Sequence, residues 1–153
     1  MALYLIQHGK SLPKDQDPDQ GLSEEGTAET ERMANLAKDH GVTVSQIRHS
    51  AKTRARQTAE IFARTLNPKQ GVQEVSGIKP LDDVAEYAAK INLDENVMLV
   101  GHLPFMERIT SYLITGSIDQ TVFKFQNSGI VCLDKDPEKQ GWVIVWTLMP
   151  TIA

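Results

Sequence analysis

Two histidines, His8 and His102, stand in equivalent places. Each follows an apolar run by one step, in "LYLIQH" and in "MLVGH". Short apolar runs of this kind read as buried strands, so both imidazoles are expected at strand ends. A neutral imidazole can act as a nucleophile near neutral pH. The third element is cationic: between Arg48 and Arg56, "RHSAKTRAR" holds Arg48, Lys52, Arg54 and Arg56 with no acid among them. Lys52, Arg54 and Arg56 fall at the start of an expected helix, where the macrodipole already presents positive potential, and such an arrangement favours an anion. Two imidazoles and an arginine around a helix start suit phosphoryl transfer, in which positioning and charge stabilisation carry most of the catalysis. An imidazole can attack phosphorus directly, and water later hydrolyses the phosphohistidine. Each feature alone has a plainer explanation. A lone strand-end histidine is more often a capping or packing residue, and Lys52 and Arg56 read equally well as solvated helix-end charges. Arg54 differs, because it precedes the inward stripe that begins at Ala55.

The elements that must position these residues alternate. "ALYLIQ" reads as a strand, followed by a helix from Ser23 to Lys38 that Ser23 opens, with Glu24 and Glu25 in its first turn. A short strand follows around Val44 to His49. The next helix, Thr53 to Leu66, lines Ala55, Ala59, Phe62, Ala63 and Leu66 along one face. A short strand "GVQEV", a third helix near Leu81 to Ile91, the buried strand "NVMLVG" and a fourth helix from Pro104 to Thr115 complete the alternation. The tail "TVFKF", "GIVCLD" and "WVIVWTLM" reads as strands, the last two joined by a turn through "DKDPEKQG". This order predicts an α/β fold, a three-layer α/β/α sandwich with a mainly parallel sheet and antiparallel strands at one edge. In such sheets ligands bind beyond the carboxyl ends of the strands, where His8 and His102 are both expected.

At 153 residues the chain is read as a single domain spanning 1–153, with no linker, repeat or low-complexity tract. No run is long enough to cross a membrane, and the N-terminal apolar stretch is short and lacks a preceding basic segment, so the expected compartment is the cytoplasm. A formal net charge of −4 argues against nucleic-acid or membrane partners, which would want a basic face. The single cysteine, Cys132, lies within "GIVCLD" and reads as a buried thiol rather than a nucleophile. There is no Walker-type phosphate loop and no GxGxxG, and His8, His40, His49 and His102 lack short-range metal-ligand spacing. No cofactor and no metal are therefore expected.

Four stretches in this order, "LIQHGKS", "GLSEEG", "SAKTRARQTAEIF" and "LVGHLPFM", resemble the histidine phosphatase superfamily, which has the phosphoglycerate-mutase-like fold, and within it the small SixA-type phosphohistidine phosphatases. The likeness covers residues 3 to about 106 by motif. It implies that His8 is the phosphorylated nucleophile, Arg54 a phosphate clamp, and His102 the residue that hydrogen-bonds the transferring phosphoryl group. It further implies that Gln7, Gly9, Lys10, Ser11 and Leu103 line the phosphate. For the general acid, members commonly use a carboxylate after the third strand. "KPLDDV" offers Asp82 and Asp83; Asp83 fits the small members' spacing better, although an acid pair at a helix start is equally explained by capping.

Two further positions depart from the family pattern. Its Arg-His-Gly triplet is Gln7-His8-Gly9 here, and its Ser-Pro is Ser50-Ala51. Arginine offers a fixed positive fork, whereas glutamine offers a neutral amide. Lys10 could return the charge without the bidentate geometry, or could be a solvated loop residue. The resulting expectation is a metal-independent phosphatase acting through phospho-His8 on protein phosphohistidine, for instance a histidine-phosphotransfer domain, with activity reduced by Gln7. The alternatives are a phosphatase for a small phosphorylated molecule, a non-catalytic reader of phosphate ion or phosphohistidine, and an interaction domain with an incidental anion site.

Overall fold

The computed structural model describes residues 1–92 and 94–151. Its ten elements are β1 (Leu3–Gln7), α1 (Glu24–Asp39), β2 (Gln46–His49), α2 (Thr53–Leu66), β3 (Val72–Glu74), α3 (Val84–Ala88), β4 (Val97–Gly101), α4 (Phe105–Thr115), β5 (Ile130–Lys135) and β6 (Trp142–Leu148). The six strands form one sheet in the order β3-β2-β4-β1-β5-β6. The first four run parallel, whereas β5 is antiparallel to both β1 and β6. The expected three-layer α/β architecture is thus the observed one.

Burial explains the strand sequences. β4 is buried along its whole length and β1 along all but Gln7, because helices cover both faces of the sheet, and each therefore reads as an unbroken apolar run. β6, at the sheet's edge, alternates between partly buried and exposed residues. On one face Met33, Ala34 and Ala37 of α1 and Ala55, Ala59 and Phe62 of α2 pack on Tyr4, Ile6, Met98 and Val100. On the other face Val84 of α3 and Phe105, Met106 and Ile109 of α4 pack on Leu3, Leu5 and Leu99. Fully burying one such large side chain contributes roughly 1.5–3 kcal/mol.

Two expectations need correction. "TVFKF" is not a strand. Phe123 and Phe125 meet edge to face and pack into the α4-side core, so side-chain packing rather than a strand ladder holds this segment. The third helix is shorter than the expected Leu81 to Ile91: Asp83 caps α3, and Leu81 lies outside it, 77% exposed.

Candidate active site

β1 ends on Gln7, but its pairing with β4 continues one residue further, because His8 N donates to Gly101 O at 3.0 Å. The His8 side chain is fixed from both ends. Nδ1 lies 2.7 Å from Gly9 O. A carbonyl oxygen can only accept, so Nδ1 carries the proton and Nε2 keeps its lone pair. That lone pair receives the Nε–H of Arg54 at 3.3 Å. Burial, and secondarily the Arg54 charge, hold the imidazole pKa down from 6.5 to about 4, although the Gly9 hydrogen bond works the other way. His8 is therefore neutral at ordinary pH. Burial also lowers the Arg54 pKa, but a guanidinium stays charged.

The loop that carries His8 is held by close packing. A Cβ on Gly9 would lie 2.6 Å from Thr30 Oγ1 and 3.0 Å from Ser128 Oγ, so only glycine fits. Gly9 N donates to Thr58 Oγ1 at 2.9 Å, and the same hydroxyl donates to Arg54 O at 2.8 Å. Thr58 thereby ties the His8 loop to the turn of α2 that presents Arg54. From the other side, Asn127 Nδ2 donates to His8 O at 2.8 Å. Gln57 Oε1 accepts from Leu22 N at 2.7 Å and anchors the segment entering α1.

His102 follows β4 directly, and its ring centroid lies 5.1 Å from that of His8. Its Nε2 is 2.5 Å from Ser50 Oγ. The register that sets His49 beside Val100 brings Ser50, one residue past β2, next to the end of β4. Burial holds the His102 pKa down to about 3, with the charges of His8, Arg54 and Lys52 adding to the effect. Its Nδ1 is buried without a hydrogen-bond partner among the described residues.

The structure thus brings His8, Arg54 and His102 together at the carboxyl ends of β1 and β4 and the start of α2. Other expected residues lie around them. Lys10 turns away, its Nζ 2.7 Å from Glu25 and 3.8 Å from Glu29 of α1. Gln7 Oε1 is buried and unpartnered. Ser11 bridges to Leu22, and Leu103 packs against the α4-side core. Asp83 Oδ1 accepts from Glu86 N at 3.2 Å as the α3 cap, and Asp82 accepts from Lys79 N; neither is hydrogen-bonded or ion-paired to the histidines or Arg54. Lys52 caps α2 without a side-chain hydrogen bond to it, and Arg56 pairs with Glu60.

Sequence reasoning assigned no part to Ser50 as the partner of His102, nor to Gln57, Thr58 or Asn127. The first three lie inside "SAKTRARQTAEIF", where their spacing from Arg54 was the available signal. Asn127 carries no local signal, because its partner is 119 residues away.

A neutral imidazole, an adjacent guanidinium, a second neutral imidazole and a helix start suit a hydrolase of the phosphoryl-transfer class on a doubly covered α/β sheet. The chain belongs to the histidine phosphatase superfamily, branch 1, whose family model matches residues 3–82, and it is a phosphatase. It is 26% identical over 156 residues to the phosphohistidine phosphatase SixA of Escherichia coli (strain K12), across 98% of this chain and 94% of that protein. The structure of the protein histidine phosphatase SixA complexed with tungstate matches with a TM-score of 0.82 at 24% identity, over 98% of this chain and 97% of that one. SixA from Agrobacterium tumefaciens matches with a TM-score of 0.79 at 29% identity, over 97% of both chains. Among the described residues no group of three or more His, Cys, Asp or Glu side chains could hold a metal ion, and no helix is long and apolar enough to cross a membrane.

Proposed function

We propose that this phosphatase acts on phosphohistidine in proteins, without a metal ion, through a covalent phosphohistidine at His8. The observation that carries this assignment is the state of His8: Nδ1 is committed to Gly9 O, and the Nε2 lone pair faces the Arg54 guanidinium at 3.3 Å. On substrate binding Arg54 turns its donors to the phosphoryl oxygens. Nε2 attacks phosphorus, the P–N bond of the substrate breaks, and its imidazole departs with the bonding pair. Water then attacks phospho-His8 and releases inorganic phosphate.

An imidazole leaves as a neutral heterocycle once its distal nitrogen is protonated, so the step does not require a strong acid, and Asp83 can remain the cap of α3. Access supports a protein substrate. Only residues 50–52 separate β2 from α2, and only residues 102–104 separate β4 from α4, so neither connection is long enough to form a lid. SixA, the relative that shares this fold, is itself described as a phosphohistidine phosphatase and takes up tungstate, a phosphate-like oxyanion.

Incubation with a phosphorylated histidine-phosphotransfer domain tests the assignment. The natural protein should release its phosphate in the presence of a strong chelator, and His8→Ala should not. Hydrolysis confined to small phosphomonoesters would identify a metabolite phosphatase instead. Tight binding of the phosphorylated domain without release would identify a reader, the alternative that Gln7 favours.

A further inference from the structure

Ser50 is 2% exposed and His102 is 1% exposed, so the hydrogens of this pair must find partners inside the protein. A serine hydroxyl has one donor and two acceptor positions. Two groups lie against Ser50 Oγ: His102 Nε2 at 2.5 Å and the backbone N–H of Lys52 at 3.4 Å. The Lys52 N–H can only donate. If Nε2 also carried a proton, Oγ would accept twice and its own hydrogen would have no acceptor among these neighbours, while Nδ1 would be a bare, buried lone pair. If instead the hydroxyl donates to Nε2, every part of Ser50 that must be satisfied is satisfied. A single group is then left over, the Nδ1–H of His102, and Nδ1 is the buried atom that has no partner among the described residues. The second arrangement leaves fewer buried groups unmet.

We propose that Ser50 is the positioning residue of His102. Its hydroxyl holds Nε2 as an acceptor, fixes the ring in the Nδ1–H tautomer, and so leaves that N–H as the donor completed by a phosphoryl oxygen. The last step rests on the phosphatase assignment above; the tautomer does not. The local backbone supports the geometry. His49 Nδ1 is hydrogen-bonded to Ser50 O at 2.7 Å, and Ser50 N reaches Val100 O at 3.4 Å, so the serine is held from the β2 and β4 sides at once. A rigid serine beside a rigid histidine gives a ring that does not rotate when charge develops on the phosphoryl group.

Nitrogen-15 NMR of the histidine rings in the full chain reads the tautomer without any turnover. In the free protein His102 should show a protonated Nδ1 and a pyridine-like Nε2. Ser50→Ala should lose that preference, Ser50→Thr should restore it, and kcat should fall roughly ten- to hundredfold in the alanine variant with KM little changed. Added inorganic phosphate should shift the His102 Nδ1 signal. A protonated Nε2 in the natural protein, or an unchanged tautomer in Ser50→Ala, overturns the positioning role. A Nδ1 signal that ignores saturating phosphate overturns the donor role. Absence of turnover with the tautomer as stated would count against the phosphatase assignment alone.

Discussion

Gln7 stands where the family's triplet has arginine, and Lys10 does not replace the lost charge in this structure. Lys10, the one cation close by in the loop, has its ammonium on Glu25 and Glu29. Gln7→Arg should therefore raise kcat, by roughly ten- to hundredfold if the guanidinium adds a charge-assisted hydrogen bond of about 1.5–3 kcal/mol in the transition state. Lys10→Ala should cost the same small factor in both backgrounds, because residues without a shared role are additive. A much larger cost in the Gln7 background would mean that Lys10 leaves its glutamates to serve the phosphate. The pH profile follows from His8. With its pKa held down to about 4 by burial and by Arg54, the imidazole is neutral across the usual range. The acid limb of kcat/KM on an aryl phosphate should fall well below the 6.5 of an ordinary histidine, and a limb near 6.5 would contradict the buried state of His8. That His8, His102 and Arg54 would be brought together at the strand ends was legible in the sequence. Lys10's orientation was not, since Glu25 and Glu29 reach it only once α1 is packed.

Among the elements, α1 has the clearest link to the site. Gly26 sits in its first turn, where a Cβ would lie 2.0 Å from Lys10 O and 2.9 Å from Lys10 C, both backbone atoms. The helix start and the loop after His8 are thus in direct backbone contact, with Ser23 N donating to Lys10 O at 3.0 Å. Alanine in place of a helical glycine ordinarily stabilises by about 1 kcal/mol. Gly26→Ala should do the reverse, lowering the urea midpoint and reducing turnover together, because α1 can relieve the clash only by displacing the loop. A more stable and fully active Gly26→Ala protein would show that the two segments part without cost. "GLSEEG" announced this helix through its cap, and Ser23 does accept from Gly26 N. The same local logic failed at "TVFKF", whose two phenylalanines are held by packing into the α4-side core rather than by a strand ladder, and around α3, where only five residues close into a helix. Local sequence specifies what an element prefers, and tertiary packing decides which preference is realised.

At the scale of the whole molecule, the site exists only because one sheet sets the ends of β1, β2 and β4 side by side. Nothing local joins His8 to His102, which stand beside each other through the register of Gln7 with Gly101. Folding therefore buries two imidazoles beside Arg54 and Lys52, and this proximity links stability to pH. In the unfolded chain both histidines titrate near 6.5, whereas in the folded protein the values are about 4 for His8 and about 3 for His102. Between those limits the unfolded chain binds more protons than the folded one, so stability rises with pH in this window and is lost as pH falls from about 6.5 towards 4. The side chains facing the pair are cationic or neutral, namely Arg54, Lys52 and Ser50, and only Gly9 O, hydrogen-bonded to His8 Nδ1, partly offsets the cost of charging an imidazole there. Urea midpoints measured from pH 8 to pH 4 should decline through this range in the natural protein, and His8→Gln should flatten the decline. Removing the second histidine as well should give less than the sum of the two single effects, because each imidazole lowers its neighbour's affinity for a proton when charged. An identical decline in His8→Gln would place the acid sensitivity elsewhere, in the carboxylates that cap helices and hold turns, and would mean that His8 takes up its proton without loosening the strand ends around it.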